Sequence, residues 1–475
     1  MTPSFIPSLF IKFLTDNAPE FADLPAKQQI AAADTLYGAL TNRLSHNSRR
    51  ADLFPIFWED KQRAYGSAKA FETTNQQLIW FRLVLRARVK VRAQGYSLTA
   101  RASKLGLAYF KQAISETAPT CGGFVKAADG TRYRKPQRAV RSLTANGANS
   151  TRFKAAQLQP EMKIDVDDVR QFYAVTQSWL REEQCPPGCE GLYQVWNKIQ
   201  DNPSDAAGEE TANKRVQRAS IQALAMLDAA RQYRTAGNLL PCTYAESVQG
   251  RLYAEGPINL QNCIRELRQA ALKGCHEVDI DNCHWALLSE LSHRQGVEIP
   301  AIDYYLINKD EVRATLAKDL EISLGDAKYV LVALIYGAKL SRSRKGYPSA
   351  IQERIGLYSM INACSHRLLV PLYAELKKAA RAVVKAAKKN SSKPGWIIND
   401  AGRQISSTSK PAKLLAHLLQ GAESEILRVC MEWCPGIVVV QHDGFASRDP
   451  VDIVPLSAHV KERTGYTVSF SHEVL

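Results

Sequence analysis

Between residues 239 and 475, short β-branched runs alternate with longer stretches of helical periodicity, and the runs able to pair lie far apart along the chain. A sheet assembled from such distant strands needs helices to back it, so the expected fold class is α+β, closed by long-range contacts. Strands are predicted at 277–280, 437–441 and 466–470, and helices at 323–339, 368–389 and 412–434.

In Glu277-Val278-Asp279-Ile280-Asp281 apolar and acidic residues alternate, which puts Asp279 and Asp281 on one face of the predicted strand. A carboxylate there is costly unless it is paired, hydrated or bound to metal. Asp281 or Asn282 can cap a helix starting near Trp285, which leaves Asp279 unexplained. Downstream, Gln441-His442-Asp443-Gly444 follows the apolar run Ile437-Val438-Val439-Val440 as the turn of a hairpin. Alone, Asp443 reads as an ordinary turn aspartate. Two aspartates that each end a buried strand can instead meet across a sheet and hold two magnesium ions about 4 Å apart, as in-line phosphoryl transfer requires. Lys328 and Tyr336-Gly337 share one predicted helix. Their side chains stand roughly 12 Å apart along its axis and within about a quarter turn, close to the length of a nucleoside triphosphate. Alone, they read as a surface lysine and a core tyrosine.

The chain has 475 residues, with 62 Lys and Arg against 47 Asp and Glu, a formal net charge of +15 and a pI near 9.3. Its large partner is therefore expected to be a polyanion, either nucleic acid or an anionic membrane. The apolar runs are too short to span a bilayer. Residues 5–14 lack the basic lead and small-residue cleavage site of a signal peptide, and Lys12 interrupts them. No membrane association and a cytoplasmic location are expected. The 10 cysteines are scattered, which suits reduced thiols. Cys185 and Cys189 flank Pro-Pro-Gly, and Cys430 and Cys434 share a predicted helix face, but no second pair lies at a zinc-site spacing.

Residues 3–112 read as mostly helical, with a basic helix carrying Arg82, Arg86, Arg88, Lys90 and Arg92, either a solvated face or a nucleic-acid contact. A basic, loop-rich connector follows at 120–153. Helical patterning returns at 166–237, broken by the acidic segment 202–211, and carries Lys214, Arg215, Arg218, Arg231 and Arg234. The run Lys377-Lys378, Arg381, Lys385, Lys388-Lys389 reads as a solvated face or as a helix that tracks phosphates.

The segment Gly250-Arg251-Leu252-Tyr253-Ala254-Glu255-Gly256-Pro257-Ile258-Asn259-Leu260-Gln261-Asn262 resembles the Gly-Arg-Leu…Asn-Leu-Gln-Asn segment that precedes the first metal aspartate of family-A DNA polymerases. Asp279, Lys328 with Tyr336-Gly337, Gln420-Gly421-Ala422-Glu423-Ser424 and His442-Asp443 follow in that family's order, so the resemblance covers residues 250–475. It implies a right-hand polymerase of palm, fingers and thumb behind a mostly helical N-terminal domain. The implied organisation is an N-terminal domain at 1–118, a connector at 119–160, a thumb-like region at 161–240, a first part of the palm at 241–300, fingers at 301–400 and a second part of the palm at 401–475. Asp279, Asp443 and the backbone carbonyl of Ile280 would hold two Mg2+ ions, for which Mn2+ can substitute. Lys328 would clamp the triphosphate, and Tyr336, Gly337, Ile280 and His284 would line the nucleotide. Arg251, Asn259, Gln261, Gln420 and His442 would contact the primer-template, favouring shape over sequence.

The departures from the family pattern also carry information. Leu324 stands where the family has an arginine four residues before the fingers lysine, which implies either a substitute in Lys318 or Arg313 or weaker triphosphate binding. Gly444 replaces an acidic residue, and His442-Asp443-Gly444-Phe445 and Gly250-Arg251-Leu252-Tyr253 lean toward the phage single-subunit RNA polymerases, which share this palm. His284, five residues after Asp279, matches the position of a bulky sugar gate, so deoxynucleotides are favoured. It can also hydrogen-bond a 2′-hydroxyl, or be a helix-start histidine facing solvent. No carboxylate series for proofreading is evident in the N-terminal half. The expected function is primer extension with dNTPs by a DNA polymerase of a plasmid, phage or mobile element. The alternatives are a single-subunit RNA polymerase and a non-catalytic nucleic-acid-binding replication or defence protein.

Overall fold

The computed structural model describes residues 5–45, 54–57, 65, 67–78, 83–90, 93–98, 102, 106, 108–109, 124–126, 152–153, 162–200, 208–232, 239–240, 242–255, 259–342 and 348–475. The N-terminal portion holds β1 (Phe5–Pro7), α1 (Ser8–Asn17), α2 (Pro19–Ala22), α3 (Ala26–Ser45), β2 (Phe54–Phe57), α4 (Ala68–Gln77), β3 (Leu83–Lys90), β4 (Ala93–Leu98) and β5 (Phe124–Lys126). The basic helix expected here is corrected: Arg86, Arg88 and Lys90 lie on strand β3, antiparallel to β4, which also pairs with β2. In Leu85-Arg86-Ala87-Arg88-Val89-Lys90 the alternation has a period of two, which suits a strand. Arg82, Arg92 and most of the expected connector lie outside the described residues.

The middle portion comprises β6 (Met162–Lys163), α5 (Val166–Leu180), α6 (Glu190–Gln200), α7 (Gly208–Gln232) and β7 (Leu239–Leu240), as its helical periodicity predicts. Asp165 caps α5 by accepting from the backbone N–H groups of Asp167 and Asp168. Helix α7 serves two cores. Val216, Ala219, Ala223 and Leu227 enter the main core, while Leu224 and Ala225, on its other side, close the N-terminal core around Phe10, Phe21, Tyr37 and Phe71.

Beyond it come β8 (Thr243–Glu246), β9 (Leu252–Glu255), α8 (Arg265–Ala271), β10 (His276–Ile280), α9 (Cys283–His293), α10 (Pro300–Ile307), α11 (Lys309–Asp319), α12 (Leu324–Ile335), α13 (Ala350–Ala363), α14 (Leu369–Lys389), β11 (Trp396–Ile398), β12 (Gln404–Ser406), α15 (Pro411–Trp433), β13 (Ile437–Val440), β14 (Gly444–Ser447), α16 (Ile453–Thr464) and β15 (Phe470–Val474). The central sheet has the order β13-β14-β10-β15, antiparallel throughout. Val278 and Ile280 point into the main core, and α9, α14 and α15 pack together behind the sheet. The three predicted helices of this region are present within a few residues of their expected ends, but the strand expected at 466–470 begins only at Phe470, opposite Ile280. Tyr466, Val468 and Phe470 are all buried, so the alternation marks an extended segment whose pairing starts at its last residue.

The cap expected from Asp281 or Asn282 is also corrected. Asn282 occupies the cap position of α9 in the left-handed region, at φ 46°, and its side chain makes no capping bond. It accepts instead from Arg313 at 2.6 Å and Tyr305 at 3.3 Å, while Asp281 pairs with Lys309 at 3.0 Å. All nine described cysteines are free thiols, and among the described residues no helix is long and apolar enough to cross a membrane.

Candidate active site

The hairpin register brings the two predicted aspartates to one end of the central sheet. Asp279 lies opposite Gly444, and the Ile280 N–H donates to the Asp443 carbonyl at 2.8 Å. The turn between β13 and β14 closes where the Gln441 N–H donates to the Gly444 carbonyl, at 2.8 Å. Gly444 is required by this approach: a Cβ there would lie inside the contact radius of Asp279 Oδ1 and of the Val278 carbonyl. Gly444 is thus what lets the hairpin seat against Asp279.

Asp279 is half-buried and Asp443 exposed. Burial, then the neighbouring charges of Asp443 and Glu277, push the Asp279 carboxyl up to about 7. Its Oδ1 is buried and, among the described residues, accepts no hydrogen bond. Glu277, on the same face, is 4% exposed and satisfied by Arg268 at 3.0 Å and by the Gln441 amide at 2.5 Å. His442 packs its ring on Tyr253 at 4.7 Å, and burial together with Arg251 holds its pKa below the ordinary value, so it is neutral at pH 7.

Beside this pair lies a second cluster. Arg251 makes a two-pronged ion pair with Glu423 of α15, and its Nη2 lies 3.1 Å from His284 Nε2. His284 is buried, with Glu423 Oε1 3.4 Å away and the Tyr336 ring edge-on at 5.3 Å. It does not face solvent. Burial alone would raise the Glu423 carboxyl, but hydrogen bonds and charge from His284 and Arg251 outweigh it, and the net shift is downward. The side-chain ligand atoms of Cys283, His284 and Glu423 lie within 4.8 Å of one another, a spacing a metal ion accepts. Here the guanidinium of Arg251 already occupies both Glu423 oxygens, so the protein supplies its own cation.

The Gly-Arg segment is stapled to α15. Gly250, at φ +107°, has no room for a Cβ, which would sit 2.5 Å from Ala401 Cβ. Its carbonyl accepts from Ser424, which in turn accepts from Arg152 at 2.7 Å. Arg152 and Arg403 both pair with buried Glu246. Neither Glu423 nor Glu246 was assigned a role from the sequence. A signal for Glu423 was present: it falls on the same helix row as Leu419, Ile426 and Leu427, and a carboxylate on a core-facing row demands a buried cation.

The other expected site residues are distributed as follows. Lys328 is exposed on α12, with no ion pair among the described residues, and Tyr336 ends that helix, 41% exposed. Gly337 is the left-handed residue of a Schellman cap, with the Ala338 N–H donating to the Ala333 carbonyl and its own to Leu334, both at 2.9 Å. The Gln261 amide is fully engaged with backbone, donating to the Leu252 and Val440 carbonyls at 3.0 Å and accepting from the Ala254 N–H at 2.9 Å. Asn259 is buried and accepts from the Asn262 N–H at 2.9 Å. Gln420 is half-buried on α15, and Leu324 is exposed. Of its two substitutes, Arg313 bonds Asn282 and Tyr305, and Lys318 is exposed. Arg215 on α7 is committed to Glu266 at 2.8 Å, so its charge is spent internally. The side chains of Lys214, Arg231 and Arg234 lie outside the described residues.

No family model matches the chain, and no curated protein matches it. Among solved structures the chain is similar to the POL domain of Pol1 from M. smegmatis in complex with DNA primer-template and dNTP, at 13% sequence identity and a TM-score of 0.41, over 93% of this chain and 81% of that one.

Proposed function

We propose that this chain is a template-directed nucleotidyltransferase that extends a primer 3′-end with dNTPs. One observation supports it above all. Asp279 on β10 lies beside Asp443 in the β13–β14 turn, neither makes an ion pair among the described residues, and an oxygen of Asp279 is buried without a partner. A half-buried carboxylate with an unpartnered oxygen beside a second negative charge is costly unless a cation joins them. In this reading Asp279, Asp443 and the Ile280 carbonyl hold two Mg2+ ions, or Mn2+ in their place. Such ions, when bound, polarise phosphoryl oxygens and neutralise developing charge.

The chain's own residues then position the reactants. The primer 3′-hydroxyl attacks the α-phosphate of the incoming nucleotide and pyrophosphate leaves. Lys328 neutralises the terminal phosphates, and Tyr336 with Gly337 lines the base. His284, clamped between Arg251, Glu423 and Tyr336, meets the sugar as a gate that disfavours ribose. Arg251 acts by fixing His284, since Glu423 occupies its fork. Gln261 and Asn259 shape the groove through backbone bonds, leaving Gln420 and His442 to touch the primer-template.

Asp279→Ala and Asp443→Ala, assayed by primer extension on DNA and RNA templates with deoxynucleotides and ribonucleotides offered separately, test this. Each is expected to cut synthesis by at least about a thousandfold, as loss of a catalytic group does, while duplex binding persists. Unchanged extension in either variant would remove that aspartate from the chemistry; no extension in the parent protein would place the chain among non-catalytic nucleic-acid-binding proteins, and extension with ribonucleotides alone would make it a single-subunit RNA polymerase.

A further inference from the structure

Helix α14 (Leu369–Lys389) buries Leu372, Leu376, Ala379 and Val383 on one side. At 100° per residue, Lys377, Arg381, Lys385 and Lys388 fall on the opposite side, and all four are exposed. They recur at intervals of four, four and three residues and form one stripe about 16 Å long. Lys378 and Lys389 flank it.

Like charges spaced this way repel along a helix, and acidic residues at the same spacing would ordinarily relieve them. The helix has one acid, Glu375, and it is used elsewhere: its Oε2 accepts from the backbone N–H groups of Ala301 and Ile302 at 2.8 and 3.0 Å, at the start of α10. Among the described residues, none of the four stripe cations makes an ion pair. Helix-end electrostatics accounts for Lys388 and Lys389 but not for Lys377, Arg381 or Lys385, which lie more than one turn from the C-terminus.

The surroundings select the polyanion. A membrane-surface helix puts its apolar face into lipid, but the apolar face of α14 is already buried in the core. Aromatic rings instead accompany the cations. Lys377 Nζ sits 3.9 Å from the centroid of the Tyr373 ring, and the helix surface around Val370, Tyr373, Ala374 and Arg381 is open. The β11–β12 hairpin packs against α14 and presents Trp396, 37% exposed, with Lys393 Nζ 5.2 Å from its ring. Cations along one helix face, with an exposed indole on the hairpin packed against that helix, suit a single strand, whose phosphates take the charges and whose unpaired bases stack. We infer that the outer face of α14, with Trp396, is a binding track for single-stranded nucleic acid. This does not rest on the two-carboxylate reading.

The test is anisotropy of a labelled oligothymidylate, roughly 20 nucleotides long to exceed one site, titrated across a salt series in EDTA without nucleotide. Lys377→Gln, Arg381→Gln, Lys385→Gln and Lys388→Gln combined should lower the slope of log affinity against log salt by about 3, at about 0.7 per lost single-strand phosphate contact. A matched protein with Lys12→Gln, Lys163→Gln, Lys198→Gln and Lys461→Gln should keep the parental slope. Trp396→Ala should weaken binding roughly tenfold with little change in slope. The inference is overturned if the two fourfold variants lose equal slope, if Trp396→Ala binds as tightly as the parent, or if phosphatidylserine vesicles prove the tighter ligand and lose binding with the same stripe substitutions. Because the stripe substitutions relieve repulsion, the variant should melt no lower than the parent, and Trp396→Ala provides an independent reading. The double alanine variant at Asp279 and Asp443 should bind the oligonucleotide as the parent does, which separates this track from the proposed chemistry.

Discussion

Asp279 binds its proton more tightly in the folded chain, where its carboxyl is pushed up to about 7, than in an unfolded one, where about 3.9 is usual. Below about pH 4 both states are protonated and the group costs the fold nothing. As pH rises toward and past 7, the fold must hold a poorly solvated carboxylate that the unfolded chain hydrates freely, so stability is lost across that window. Asp279→Asn should therefore melt higher than the parent at pH 8 in EDTA, by on the order of 1–3 kcal/mol, with the advantage gone near pH 4. Mg2+ should raise the melting temperature of the parent and leave that of the variant unmoved. Equal melting curves at pH 8, with and without Mg2+, would show that the carboxyl pair neither strains the fold nor recruits the ion.

At the scale of elements, the cap of α12 links packing to the site. Gly337 has φ +89°, and a Cβ there would stand 2.5 Å from that of Ala412 on α15. Gly337→Ala should cost about 2 kcal/mol or more. It should also raise the nucleotide KM several-fold, because Tyr336 would shift relative to His284. A normal KM in a folded variant would free Tyr336 from the proposed nucleotide subsite. Elements such as α12, α14 and α15 were legible in the sequence because each carries a long apolar row that only a helix can bury. Strand β3 was misread because its arginines suggested a charged helix, although the period of two was there to be counted. The core-facing row of α15 signals that Glu423 needs a buried cation, but that Arg251 is the partner was not legible, since it depends on which segment meets α15 from some 170 residues away. Nor could the cap role expected for Asn282 survive the arrival of Arg313 and Tyr305 from α10 and α11, which offer its amide better partners.

Over the whole molecule, α7 is the shared wall. Leu224 is buried in the N-terminal core while Ala223, its neighbour, is buried in the main one. Leu224→Ala should cost about 2–5 kcal/mol, and hydrogen exchange should quicken in both α3 and α5, since one rigid helix serves both cores. Faster exchange confined to α3 would mean that the two cores open independently.

The strand bearing Asp279 also has a temporal dimension. Its sheet neighbours are β14 and β15, the latter pairing Phe470 with Ile280. During translation β10 emerges long before either neighbour exists, and it must wait on the ribosome as a lone ribbon with both edges bare. A nascent chain halted between Asp279 and Asp443 thus carries every residue of the Gly-Arg segment and the first aspartate but not the second, and chaperones that shield unpaired strands would find their substrate there.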